Sequence, residues 1–137
     1  MEKYELQNRI RVDGEEIDTL HVEIARLRQK QEVYNRHLEI VNRQEEAGES
    51  LYFYQRQKLN SVLDLARGRA IESAMCEYDD LFGAERWGEA QQDFYEIRMI
   101  IQKNNHIAEE RIREAQKRIN LLEERISVCE SRLRMLG

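Results

Sequence analysis

A chain of 137 residues, 41% apolar and 36% charged with six glycines and no proline, is large enough for a shared core and composed for solvated helices rather than a sheet. Its formal charge of −5 includes no strongly basic stretch, so it lacks the cationic surface that binding to a nucleic-acid backbone requires. There is no apolar run of about 18 residues for a membrane span, and the opening MEKYELQNRIRVDGEE has no apolar core of a signal peptide. Cytoplasmic synthesis is the expectation, with export beside a partner by a leaderless route left open.

The first predicted helix covers about residues 2 to 46. Its apolar residues recur as a heptad, with Ile10, Ile17, Ile24 and Leu38 at a and Leu20, Leu27, Tyr34 and Val41 at d. Asp13 and Gln31 interrupt that seam. Ala47-Gly48-Glu49-Ser50 combines a glycine suited to ending one helix with a serine suited to capping the next, and predicts a break there. The alternative is a helix that continues through Gly48.

A second helix is predicted over about 51 to 81, with an alanine-rich stripe of Leu59, Val62, Leu63, Ala66, Ala70, Ala74 and Tyr78. The segment from Leu81 to Gly88 reads as a turn bracketed by Gly83 and Gly88. The third helix, about 89 to 136, repeats the heptad with Ile112, Ile119, Ile126 and Leu133 at a. Its d positions hold Phe94, Ile101, Ala108, Ala115, Leu122, Cys129 and Leu136, and Arg98 and Asn105 are its polar exceptions. The expected fold is all-α, a single helical domain over 1–137. It is built either as an elongated up-down-up three-helix bundle or as an antiparallel helical hairpin turning at 82 to 90, with coiled-coil seams in both cases.

Eight of the ten aromatic residues lie between 52 and 95. Consecutive residues on a helix point about 100° apart, so Tyr52, Phe53 and Tyr54 cannot all face one core. Two readings follow: a bundle core centred near the turn, or a protein-docking patch of Tyr52, Phe53, Tyr54, Trp87 and Tyr95, with Phe94 in the adjoining seam. Asn105 is a further interaction candidate, because a polar residue at a selects register and would meet its own copy if the third helix formed a homodimer.

Chemistry-bearing motifs are missing. There is no GxxxxGK, GxSxG or HExxH, and Asp18-Thr19-Leu20-His21 is the nearest approach to a carboxylate-histidine metal motif. His21, His37 and His106 read as surface or boundary residues, and Cys76 and Cys129 as small apolar residues of helical stripes. No enzyme activity, metal or cofactor is expected.

LYFYQRQKLN, FGAERWGEAQQDFYEIR and the closing EERIREAQKRINLLEERIS together resemble the small helical partner proteins encoded beside LXG toxins of the type VII secretion system. The resemblance implies a non-enzymatic targeting factor that binds the helical N-terminal domain of a cognate LXG toxin, beside a second small WXG-like helical protein. Trp87-Gly88 departs from the Trp-x-Gly of WXG proteins by lacking the intervening residue. Two other readings use the same seams: a secretion-ATPase stalk protein similar to FliJ and YscO, and a cytoplasmic coiled-coil scaffold.

Overall fold

The computed structural model describes residues 2–65 and 68–137, with side chains for all of these except 62–65, 81 and 82. The chain forms α1 (Glu2–Leu65), α2 (Arg69–Phe82) and α3 (Ala84–Leu136), and there is no strand among the described residues. The all-α expectation holds, as the antiparallel helical hairpin of its two forms. The positions of the breaks differ from those expected.

α1 runs unbroken through the Ala47–Ser50 segment. Glycine inside a helix costs only about 1 kcal/mol relative to alanine, and here the bare Cα has a use. A Cβ on Gly48 would stand 2.8 Å from Cζ3 of Trp87, so the indole occupies that space. The reversal of direction falls instead between α1 and α2. Gly68 there has φ 150° and ψ 158°, a conformation open in practice to glycine alone. Arg56 of α1 pairs with Asp79 of α2, which sets those two helices antiparallel.

Residues 82 to 90 are not an extended turn. Gly83 alone separates α2 from α3, with extended backbone at φ −84° and ψ −168°. Its N–H donates to the Asp79 carbonyl at 2.7 Å, and the Trp87 N–H donates to the Gly83 carbonyl at 3.1 Å. A Cβ on Gly83 would strike that same Asp79 carbonyl oxygen. Trp87 and Gly88 consequently lie in the opening turns of α3.

The structure groups into two compact units, residues 1–34 with 103–137 and residues 35–102. In the first unit Ile24 and Leu27 of α1 pack with Ala108, Ile112, Ala115 and Ile119 of α3, joined at the margin by Ile17, Leu20 and Tyr34. These are the predicted a and d residues, and alanines on α3 let the helix backbones approach closely. Polar pairs cross the same seam in descending order. Glu2 meets Arg132, Asp13 meets Arg125, Glu16 meets Arg118 and Gln31 meets Glu109, the order required of antiparallel helices.

In the second unit Val41 and Ile101 are the buried d residues. Arg98 donates to Asn42 at 3.2 Å and to Glu45 at 2.8 Å, so a charge at a is satisfied by polar groups of the facing helix. The seam continues past the predicted limit of 41, with Glu45, Gly48, Tyr52, Gln55 and Leu59 all half-buried.

The alanine stripe predicted for the second helix is corrected. Among the described side chains of α2, Ile71, Met75 and the predicted Tyr78 are half-buried, while Ala70 and Ala74 are exposed. Larger apolar side chains gain more from burial, and they take the inward face. Val62, Leu63 and Ala66 of that stripe lie outside the described side chains. Cys129 is buried in the seam as expected, whereas Cys76 is exposed because it stands one residue beyond Met75 on the outer face of α2.

Leu27 is 1% exposed and Leu122 is fully buried. Either residue changed to alanine lowers the unfolding free energy by about 2–5 kcal/mol, while Val22→Ala on the open face changes it by less than about 0.5 kcal/mol. Urea denaturation followed by circular dichroism measures all three.

Candidate protein-interaction site

The aromatic-rich part of the second unit is organised around Trp87. Gly48 and Tyr52 stand one turn apart on α1, and the indole fits between them. Cζ3 and Cη2 of the ring lie against the bare Cα of Gly48, and the ring stacks on Tyr52 with centroids 5.9 Å apart and planes 14° from parallel. Phe53 meets the Tyr52 ring edge-on at 5.6 Å. Offset stacking and edge-to-face contact suit the charge distribution of aromatic rings, so this small cluster has a defined geometry.

A guanidinium closes one end. Arg56 lies 5.7 Å from the Tyr52 centroid and its Nε donates to the Tyr52 hydroxyl at 3.3 Å. Arg56 also pairs with Asp79. The hydrogen bond to Tyr52, assisted by the charge of Asp79, holds the guanidinium pKa above its ordinary value. Tyr52 is thus gripped by Trp87, Phe53 and Arg56 together.

The predicted residues therefore divide. Tyr52 and Trp87 are half-buried and serve the packing of α1 on α3. Phe94 is half-buried in the seam. Phe53, Tyr54 and Tyr95 stand 57%, 54% and 53% exposed, which is high for large aromatic side chains. The Lys58 ammonium lies 4.8 Å from the Tyr54 ring centroid, and its interaction with that side chain holds the lysine pKa above its ordinary value.

Asn105 belongs to the first unit, apart from this cluster. It is half-buried at its a position, and its Oδ1 is buried without a hydrogen-bond partner. Within the chain its seam faces α1. Gly48, Arg56 and Asp79 are the members that sequence reasoning missed. The available signal was the pairing of a glycine and a large aromatic four residues apart, a notch beside a platform on one helical face.

Aromatic faces, a phenol and a paired guanidinium suit recognition of another protein surface. Among the described residues no group of three or more His, Cys, Asp or Glu side chains is placed to hold a metal ion, and no helix is long and apolar enough to cross a membrane. No protein-family model, curated protein or solved structure matches the chain.

Trp87 is the only tryptophan, so its fluorescence reports this notch directly. In Gly48→Ala the new methyl displaces the indole toward water and shifts its emission to longer wavelength. The gain in helix propensity, about 1 kcal/mol, is offset by overpacking of about 1–3 kcal/mol, so emission is the sharper readout. Emission unchanged from the parent protein would show that the ring does not sit on Gly48.

Proposed function

We propose that this protein is a non-enzymatic helical adaptor that docks on the helical N-terminal domain of an LXG toxin and prepares it for type VII export. The observation that carries the reading is the division of the aromatics. Tyr52 and Trp87 are locked into the second unit, while Phe53, Tyr54 and Tyr95 are left largely in water. Large exposed rings on a scaffold that does not need them for its own core supply contact area at little side-chain entropy, the usual makings of an interface anchor. The toxin as partner comes from the sequence resemblance.

Changing Tyr54 and Tyr95 to serine tests the reading and leaves the rings of the notch, Tyr52, Phe53 and Trp87, in place. The double variant keeps the helicity and melting behaviour of the parent, and loses at least about tenfold in affinity for the toxin domain, equivalent to the truncation of one interface anchor. Co-purification followed by titration calorimetry measures this. Undiminished affinity would remove the aromatic surface from the interface.

The antiparallel helical hairpin also favours a second reading, an ATPase stalk protein of the FliJ and YscO type. On that reading added protein raises the hydrolysis rate of a purified secretion ATPase. An unchanged rate at saturation would dispose of it.

A further inference from the structure

The first unit has two unlike flanks beside its seam. Glu16 with Arg118 and Glu2 with Arg132 are pairs of facing g positions, which defines one flank. On α3 the c row beside it is mostly apolar and open to water: Ile107, Leu121, Val128 and Met135 are 41%, 48%, 67% and 88% exposed. The facing row on α1 adds Val12, 44% exposed. The opposite flank holds Gln116, Glu123 and Glu130 on α3 and His21 and Arg28 on α1, and has no such apolar row.

On the apolar flank the helices leave a trench of ≈ 370 Å³ near the start of α1 and the end of α3. Leu6, Leu121 and Val128 give it apolar walls, and Arg9, Arg125 and Arg132 line its length, outnumbering the single carboxylate of the lining, Glu124. Arg125 is tied to Asp13 and Arg132 to Glu2, but a guanidinium carries five donors and neither pair uses all of them. Arg9 has no acidic partner among the described residues. A smaller groove continues the side at Leu27, Lys30, Ile107 and Arg111, again apolar walls with cationic margins.

We propose that this trench is a docking site for one amphipathic helix of a protein partner, whose apolar stripe is flanked by aspartate or glutamate. Grooves between antiparallel helices are where a third helix packs, and the spacing of Leu121 and Val128 at one heptad matches the periodicity of such a stripe. The arginine row chooses the sign of the flanking charge. A second copy of the chain is a poor occupant, because a two-fold contact along this flank sets Arg9, Arg125 and Arg132 against the same three arginines. The site uses residues distinct from Phe53, Tyr54 and Tyr95 and stands whether or not the toxin reading holds.

The probe is a fluorescein-labelled peptide of about three heptads, with leucine at a and d and glutamate on both flanks, titrated against the full chain by fluorescence anisotropy. A twin peptide carries lysine in place of every glutamate. The glutamate peptide binds saturably and more weakly as salt rises, and the lysine twin does not bind. Val128→Asp and Arg9→Glu each lower the affinity at least about tenfold with circular dichroism unchanged, because both side chains project into water. Equal binding of the two peptides, binding of neither, or indifference to both substitutions overturns the proposal. So does sedimentation showing a dimer of the parent chain that Val128→Asp dissolves, since the occupant would then be a second copy.

Discussion

The packing of α1 against α3 in the first unit depends on a seam that is apolar enough to drive association and polar at a few places that are met by partners on the facing helix. Leu27, Ile119 and Leu122 are almost wholly removed from water. Such a stripe alone would tolerate a slip of one heptad, about 10 Å along the axis, at modest loss. The polar interruptions are matched by partners on the facing helix. Asp13 is 3% exposed and its carboxylate lies 3.4 Å from Nε of Arg125, a charge contact without hydrogen-bond alignment. Arg125 offsets the burial of this carboxylate, although arginine recurs at the same heptad position at 111, 118 and 132, so the pair alone does not choose among alignments one heptad apart. Gln31 bonds to Glu109 at 2.7 Å at the other end of the unit. The polar breaks in the heptad thus find partners in this alignment, and the apolar positions supply most of the driving force.

The second unit solves the same problem with less apolar material. Its seam holds Val41 and Ile101, then an arginine bonded to Asn42 and Glu45, then an indole seated on a glycine. The one-residue break at Gly83 takes part in placing that indole. The carbonyl of Gly83 receives the Trp87 N–H and starts the first turn of α3, and the end of α2 is closed by the bond to Asp79. Asp79 also pairs with Arg56, which bonds to Tyr52. Backbone break, ion pair and aromatic stack are therefore linked through a few shared residues, and a change at any of them is felt at the others. Phe53 meets the edge of this assembly yet stays mostly in water, so an exposed ring rests on a braced platform.

The seam residues were legible in the sequence because their burial follows a strict period. Every a and d position named on α1 is buried or half-buried, as are those on α3 up to Leu133. Asp13, Gln31 and Arg98 were visible as interruptions, but their partners were not, since pairing across a hairpin depends on where the chain reverses. That point was misplaced for a physical reason. Gly48 carries the local signature of a helix end, and nothing local distinguishes it from a glycine kept small for a ring nearly forty residues away. Gly83 and Gly88 likewise look equivalent in sequence, yet one breaks the helix and the other lies within it. Tyr52, Phe53 and Tyr54 were rightly expected to diverge. Which of them faced inward depended on Trp87, a tertiary contact.

Committing a and d to the internal seam determines what remains for recognition. A partner that competed for Leu27 or Ile119 would have to open the hairpin and would lose the burial that holds it together. Side chains on the c row of α3 carry no such penalty, because the internal packing does not use them. Binding there can proceed on a preformed surface, with ordering limited to the incoming helix and a few long side chains. The arginine row adds a further asymmetry. Arg125 and Arg132 pair with Asp13 and Glu2 of α1 and help align the hairpin, and neither pair uses all five donors of its guanidinium. The same residues can therefore align the two helices of the chain and discriminate the charge of a third.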